Sequence, residues 1–225
     1  MANIRQQSQR FQYAQPIFMQ GDRSLARALR DLMREQHPYM LESIHLDEAA
    51  PADALRLAEW ASPEQFPALA QRYSDSLYRQ HPDAVQEAKP VQSLWAQWYF
   101  GLLLPPLMLA LLAESRALDC SPQHIHVQFH EHGHPCAFWI ATHEDEEARY
   151  LTAPQRIDRL IQQHLIPAVN GIAQHGGINA RLIWNNMGFS FHWFLGELKT
   201  LLDEATILQL EQTLFFTSRL QDGSD

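Results

Sequence analysis

The chain has 225 residues, of which 46% are apolar, and 17 Lys and Arg against 26 Asp and Glu give a formal net charge of −9. This length provides one large domain or two small ones with a sizeable core, and the acidic balance without any basic run argues against a nucleic-acid partner. Two cysteines, Cys120 and Cys136, exclude a disulfide-rich mini-protein and cannot supply a four-thiolate metal site.

The first third of the chain predicts helices behind a polar start. Residues 1–17 are rich in glutamine and lack the apolar stretch of a secretory signal, so we expect a cytosolic, cytoplasmic protein. Apolar residues recur at helical spacing over residues 22–36, which predicts an amphipathic surface helix. The sequence Ser-Pro-Glu-Gln at residues 62–65 is a helix-start signal, so a second helix is expected over residues 63–80.

The segment 90–113 has no charged residue and is long enough to span a bilayer. Two adjacent prolines, Pro105 and Pro106, interrupt it, and a proline inside a helix lacks an amide donor and clashes with the preceding turn. The segment is therefore predicted to form a pair of buried core helices, over residues 91–104 and 106–116, in preference to a membrane span.

The second half of the chain mixes strand and helix signals. Alternating apolar residues predict a strand over residues 125–129, a turn at residues 131–135 and a returning strand over residues 136–142. Another strand is expected at residues 181–184, with a turn after it at residues 185–188. Helices are predicted over three further segments, residues 153–175, 189–202 and 204–220.

These elements predict an α+β fold that is mostly helical. An N-terminal helical domain, residues 1–120, is expected to pack on a smaller α+β domain, residues 121–225, that contains the antiparallel hairpin. We place the boundary between the two at residues 118–122. The chain has no internal repeat or Gly/Ser linker that would mark another division.

Five of the twelve histidines lie within eleven residues, and they are His124, His126, His130, His132 and His134. Imidazoles two apart on a strand share a face, so His124, His126 and His130 could converge on a divalent metal, with the turn supplying His132 or His134 as a further ligand. A hairpin whose solvent face is rich in histidine is the simpler interpretation, and we assign no metal ligand. A third interpretation is that His126 or His130 donates a proton in a cleft, because imidazole titrates near neutral pH.

Two groups of residues are candidates for ligand binding. Trp95, Trp98 and Tyr99 lie on one helical stretch just before the apolar run, and they either pack in the core or form an aromatic wall for a bulky organic ligand. Trp184 and Asn186 lie where the predicted strand meets its turn. They belong either to the rim of such a pocket or to a plain turn.

Several strings of residues together resemble the ferric iron reductase (FhuF) family. They are SLWAQWY at residues 93–99, PPLMLALL at residues 105–112, the Ser-Pro and histidine-rich stretch at residues 121–133, and LIW-x-N at residues 182–186. The resemblance covers nearly the whole chain, residues 24–216. It implies cytoplasmic reduction of ferric hydroxamate siderophores with release of Fe(II). It also implies a [2Fe-2S] cluster, held in a C-terminal tail by two adjacent cysteines and a CxxC pair.

The chain departs from this family at its end. It stops at Asp225 before any such tail, and neither Cys120 nor Cys136 fits the tail motif. Residues 1–225 are therefore not expected to bind the cluster, and we expect them to be redox-inactive alone. Either the sequence is a fragment, or the gene product keeps the substrate-binding body without the redox centre. We expect truncation, because residues 222–225 resemble the linker before the tail. A structural, reduced role is expected for both cysteines.

The resemblance gives the first hypothesis, which is a ferric-siderophore reductase. Hydroxamate oxygens are hard, anionic ligands that suit Fe(III), so reduction weakens the complex and lets the iron leave. Residue type and position suggest pocket lining by Trp95, Trp98 and Tyr99, rim contacts by Trp184 and Asn186, and proton donation to the departing hydroxamate by His126 or His130.

Two rival hypotheses stay open. The first is a siderophore-binding or siderophore-biosynthesis-associated module with no redox activity, because related domains are joined to siderophore synthetases of the aerobactin type. The second is a metalloprotein built on the histidine cluster and independent of siderophores. The particular siderophore, the electron donor, the oligomeric state and any peripheral contact with the inner membrane leave no pattern in the sequence.

Overall fold

The computed structural model describes residues 23–81 and 83–216. The predictions for residues 1–17, 217–220 and 222–225 lie outside this part of the chain. The described α-helices are α1 (Leu25–Gln36), α2 (Leu57–Trp60), α3 (Gln65–Leu77), α4 (Ala88–Ala113), α5 (Ala153–Leu160), α6 (Ile166–Gly176), α7 (Ala180–Glu197) and α8 (Glu204–Glu211). The described strands are β1 (Ile44–Leu46), β2 (Leu55–Arg56), β3 (Ile125–Phe129) and β4 (Pro135–Ile140).

The strands form one mixed sheet in the order β1-β4-β3-β2. β3 and β4 are the predicted antiparallel hairpin, with Val127 opposite Phe138. β1 pairs parallel to β4, and β2 pairs antiparallel to β3. The sequence pattern does not predict β1 and β2, because strands of three and two residues are too short to show alternation. The fold is α+β and mostly helical, as predicted.

The strand predicted at residues 181–184 and the turn predicted at residues 185–188 are wrong, because both segments lie inside α7. Asn179 caps this helix by accepting a hydrogen bond from the Arg181 amide. Beyond the cap, buried residues recur at helical spacing, at Ile183, Met187, Phe191 and Phe194. That period is typical of a helix packed on a core, and a window of a few residues is too short to reveal it.

α4 is a single helix, although two were predicted there. It runs through Pro105 and Pro106 and packs against α1, α3, α5, α6 and α7. Tertiary packing of this kind supplies most of the stability of a helix in a folded protein, so α4 continues where an isolated helix would break. By length and composition α4 could cross a membrane, but 67% of its most apolar stretch is buried within the protein, as expected for a core helix.

The helices predicted from residues 22, 63, 153 and 204 start within a few residues of α1, α3, α5 and α8, whereas the helix predicted from residue 189 begins earlier, at Ala180 of α7. The segment predicted as one helix over residues 153–175 is α5, a π-helical turn at Ile161–Leu165, and α6 in succession. The segment 189–202 comprises the second half of α7 and a 3-10 turn at Leu198–Thr200. The last predicted helix begins as α8 and continues as a π-helical segment, Gln212–Phe216.

One hydrophobic core receives residues from both predicted domains. Arg156 on α5 links segments around it, since its guanidinium donates hydrogen bonds to the backbone carbonyls of Leu111, Glu114, Ser115, Ala148 and Arg149. These bonds satisfy carbonyls at the end of α4, which have no partner within the helix. The predicted domain boundary between residues 120 and 121 stays a prediction. Segments from both sides of it contribute to this core and to the sheet.

Candidate functional site

A cavity of about 360 Å³ lies beside Trp98. Three parts of the fold form its wall: the 3-10 turn Pro38–Glu42, the middle of α4, and the end of the β3–β4 turn. The lining includes Tyr39, Glu42, Trp98, His134, Cys136 and the backbone of Gly101. This volume and this mixture of aromatic, apolar and polar walls are typical of a site for an organic ligand or for one arm of a larger ligand.

Gly133 holds the β3–β4 turn against two helices. Its φ of 85° is a conformation that favours glycine. A Cβ at this position would lie 2.3 Å from the carbonyl oxygen of Leu69 on α3. The carbonyl oxygen of Gly133 accepts a hydrogen bond of 2.8 Å from the buried Nε1 of Trp95 on α4. This close approach fixes His134, the next residue, at the cavity wall.

Trp98 and Tyr39 bring half-exposed aromatic rings to the cavity, with 45% and 49% of their surfaces exposed. Nε1 of Trp98 donates a hydrogen bond of 2.9 Å to the hydroxyl oxygen of Tyr73 on α3. The indole is therefore anchored at one edge while part of its ring surface stays exposed to the cavity. Such ring faces bind apolar surfaces and cations. Of the three residues predicted as an aromatic wall, Trp98 is the one that lines the cavity.

His134 joins the cavity to the histidine-rich turn. Its ring lies 5.2 Å from the Trp98 ring and stacks on His130, with ring centroids 4.8 Å apart. Its Nδ1 is buried and has no hydrogen-bond partner. Burial lowers the pKa of His134, and the neighbouring His130 and His132 lower that pKa further. His134 is thus a neutral imidazole at neutral pH, and it offers one nitrogen as an acceptor and the other as a donor.

The tip of the same turn gathers three potential metal-ligating side chains. One donor atom from each of His130, Glu131 and His132 lies within 4.8 Å of the others, and in the described part of the chain this is the one such group of three or more. His130 and Glu131 are exposed. Two of its members, His130 and His132, belong to the predicted metal-binding set. His124 of that set pairs with Asp119 at 3.3 Å, and His126 is not part of the group.

His126 and His130, the two predicted proton donors, occupy different places. His126 lies in mid-β3, where its Nε2 accepts a hydrogen bond of 3.1 Å from Nε of Arg56 on the edge strand β2. Burial lowers the pKa of His126, and the Arg56 charge lowers it further. His126 is not among the residues that line the cavity, whereas His130 reaches it through the ring of His134. Proton donation by either residue stays a prediction.

Trp95 and Tyr99 lie in the core behind Trp98, and both are fully buried. The Tyr99 hydroxyl makes a hydrogen bond of 2.8 Å with Nε2 of His164, which is itself buried in the π-helical turn between α5 and α6. Nδ1 of His164 has no partner within hydrogen-bond geometry. These contacts account for both aromatic residues as core packing, and their predicted contact with a ligand stays a prediction.

Trp184 and Asn186 lie on α7, away from any turn. Nδ2 of Asn186 donates a hydrogen bond of 2.9 Å to the Ser93 hydroxyl on α4, so it ties two helices together. Trp184 is partly buried against the core. Neither residue is among those that line the cavity at Trp98, and their predicted rim role stays a prediction.

The cysteines do not fit an iron-sulfur cluster. Such a cluster takes four thiolate ligands, and residues 1–225 contain two cysteines. Cys120 is buried, its thiol donates to the Leu118 carbonyl oxygen, and burial raises its pKa. Cys136 is partly buried, its thiol donates to the Gln128 carbonyl oxygen, and burial raises its pKa as well. Both thiols are protonated at neutral pH, the opposite of what a metal ligand requires.

Sequence reasoning missed most contributors to the cavity, among them His134 as the wall imidazole, Tyr39, Glu42 and the backbone of Gly101. The sequence does indicate His134, because this residue lies between a glycine and a proline at the predicted turn, and polar side chains on turns often line binding sites. No comparable sequence pattern indicates Glu42 or Gly101. Their place in the cavity results from the packing of the 3-10 turn on α4.

Two comparisons with known proteins bear on this chain. The sequence profile of a family described as "Ferric iron reductase FhuF-like transporter" matches residues 93–224. An Escherichia coli (strain K12) protein named "Ferric siderophore reductase" is 46% identical over 204 residues, which cover 91% of this chain and 78% of that protein. The resemblance drawn from the sequence strings is confirmed.

Proposed function

This chain belongs to the FhuF-like ferric iron reductase family, and from that premise we propose that it acts in the cytoplasmic reduction of ferric hydroxamate siderophores, with release of Fe(II). One observation connects the proposal to particular residues, namely the cavity that combines the half-exposed Trp98 ring with an imidazole in its wall. A bulky chelate needs a ring face for its organic frame, and its release needs a group that passes protons.

Reduction releases iron because the chelate prefers the oxidised metal. Hydroxamate oxygens are hard, anionic ligands, so the addition of one electron to Fe(III) gives an Fe(II) complex that is held less tightly. Protonation of the freed oxygens then keeps them from binding the metal again. The protein's part is to hold the chelate within reach of an electron donor and to supply those protons.

The described residues place two imidazoles between solvent and the cavity. His130 is exposed and stacks on His134, which lines the cavity and has an unpartnered buried Nδ1. Because burial lowers the pKa of His134, this residue stays neutral. It would pass a proton by accepting one at one ring nitrogen and donating one from the other, each through a hydrogen bond to a water molecule or to the ligand. His130 remains a candidate donor under this proposal, and His134 is the group next to the ligand.

The electron comes from a separate centre. Following the family resemblance, we propose that this donor is a [2Fe-2S] cluster, although Cys120 and Cys136 do not fit one. Residues 1–225 are therefore proposed to be redox-inactive until such a donor is added. What this chain contributes by its own residues is binding, orientation and proton supply.

Replacing Trp98 with alanine tests whether the cavity binds the chelate. We expect the variant to bind a ferric trihydroxamate about tenfold more weakly than the unmodified chain, because it loses the aromatic contact at the centre of the site. Isothermal titration calorimetry measures this affinity without depending on tryptophan emission. The matched control is Trp193→Ala, which removes a tryptophan that is 49% exposed and does not line the cavity. Equal affinities for the two variants would contradict this placement.

A second function remains a candidate under the same observations. Since neither thiol suits a cluster, residues 1–225 are also compatible with a siderophore-binding or biosynthesis-associated module that does no redox work. The two functions share the cavity and differ in one outcome. The binding module holds the ferric chelate yet gives no Fe(II) when a one-electron donor is supplied.

A further inference from the structure

The two prolines inside α4 leave two backbone carbonyl oxygens without their helical partners. In an α-helix the carbonyl of residue i accepts from the amide of residue i+4, and proline has no amide hydrogen. Pro105 therefore cannot donate to Gly101, and Pro106 cannot donate to Leu102. Leu102 also loses the 3-10 alternative, because its i+3 residue is Pro105.

Both carbonyls belong to residues of the Trp98 cavity wall. Gly101 has no side chain, so it lines the cavity with its backbone. A Cβ added there would meet no atom within 4 Å, which shows open space beside this residue. Leu102 is partly exposed. The wall thus contains two carbonyl oxygens that have lost their i+4 donors, and of these Leu102 has no i+3 donor either, whereas Gly101 keeps the amide of Leu104 as an i+3 donor.

The charges around the cavity are of one sign. Glu42 lines it, and the lining contains no Lys or Arg. Glu197 acts on the wall residue Tyr39, because its charge adds to burial in raising the Tyr39 pKa. The exposed surfaces of Trp98 and Tyr39 also favour a cation over an anion in the cavity, since aromatic faces attract positive charge. An anion in the cavity would meet the Glu42 carboxylate without a Lys or Arg in the wall to offset it, and would be repelled.

From this arrangement we propose that the cavity is a subsite for a cationic arm of the siderophore, a primary ammonium at the end of an alkyl chain. Carbonyl oxygens of Gly101 and Leu102 accept its N–H donors, Glu42 supplies the opposite charge, and Trp98 packs on the alkyl chain. The inference rests on the proposed function, which it narrows to a class of substrate. Chelates that carry an ammonium arm bind better than chelates of the same size without one.

Two forms of one ligand test this subsite. The first is a linear ferric trihydroxamate with a terminal primary ammonium, and the second is its N-acetylated derivative, which has lost the charge. By calorimetry we expect the ammonium form to bind about tenfold more tightly. Glu42→Gln should remove most of that difference, whereas Glu35→Gln, an exposed carboxylate on α1 outside the cavity wall, should leave it unchanged.

Restoring the helix amides tests the carbonyls separately. In the Pro105→Ala/Pro106→Ala variant the carbonyls of Gly101 and Leu102 regain donors within α4. Both prolines line the cavity, so both affinities are measured, and their ratio in favour of the ammonium form should fall. Thermal unfolding of this variant is measured as well, so that the two affinities are compared at a temperature at which the variant is folded. An unchanged preference in both this variant and Glu42→Gln would overturn the subsite.

A smaller probe separates failure of the subsite from failure of the proposed function. If both chelates bind equally, the subsite is wrong and the function stands. If neither chelate binds, the proposed function is wrong, and butylammonium then decides the subsite. A shift of the Trp98 indole N–H signal in NMR spectra on adding butylammonium, and not on adding 1-butanol, would support it. The absence of such a shift would overturn it.

Discussion

Replacing Gly133 with alanine is expected to lower the free energy of unfolding by about 3 to 5 kcal/mol. The new Cβ would lie 2.3 Å from the Leu69 carbonyl oxygen and 3.0 Å from Cβ of Arg72, so the backbone of the turn or of α3 must move. The residue would also keep a φ of 85°, which strains any side chain. Movement of the turn breaks the hydrogen bond from Trp95 to the Gly133 carbonyl and displaces His134.

Chemical denaturation measures this loss, and Gly196→Ala is the matched control. Gly196 lies within α7, and a Cβ there would meet no atom within 4 Å. Alanine should therefore raise stability by up to about 1 kcal/mol, through its better helix propensity. We expect the Gly133 variant to lose affinity for the chelate as well. A Gly133 variant as stable as the unmodified chain would show that the turn does not depend on this contact.

Acidification from about pH 7 to about pH 4 is expected to cost about 3 kcal/mol of stability through His164 alone. Burial lowers the pKa of His164 from 6.5 to about 4, and the nearby Cys120 backbone offsets only part of this effect. The unfolded chain therefore binds a proton that the folded chain does not. This contribution is fully present above about pH 6.5 and is lost as the pH falls toward about 4.

The variant His164→Gln isolates this effect, because glutamine keeps a polar partner for the Tyr99 hydroxyl and does not titrate. Urea unfolding across the same pH range should show a flatter dependence for this variant, by about one proton. His81→Gln, which changes an exposed histidine, should keep the slope of the unmodified chain. The account of His164 fails if both variants follow the same curve.

The elements that the sequence predicted well have local signals. The hairpin of β3 and β4 shows strict alternation around a turn that contains Gly133, and α5 starts at a capping box of Thr152 and Gln155. The elements that it predicted wrongly depend on contacts between helices that are distant in the chain. α4 continues through its prolines because other helices pack around it. The first turns of α7 were predicted as a strand, because an apolar run of a few residues is too short to distinguish helical from strand periodicity.

The candidate site was predictable only in part, since it joins segments that are distant in the chain. Residues 39–43, 98–106 and 134–136 meet in the cavity, and no spacing rule connects them. Trp98 was among the candidates because aromatic residues line many pockets. The sequence could not separate it from Trp95 and Tyr99, because a pair one helical turn apart can have one member in the core and one at the surface.

Fe(II) production from a ferric trihydroxamate decides whether this cavity serves iron reduction. A reduced [2Fe-2S] ferredoxin is added as the one-electron donor, and the Fe(II) is trapped by a ferrous-selective chelator that absorbs visible light. We expect this chain to accelerate Fe(II) formation in a saturable way, to do nothing without the donor, and to lose about nine-tenths of the acceleration in Trp98→Ala. A rate equal to that of ferredoxin alone, or an undiminished rate in Trp98→Ala, would contradict a reductase that works through this cavity.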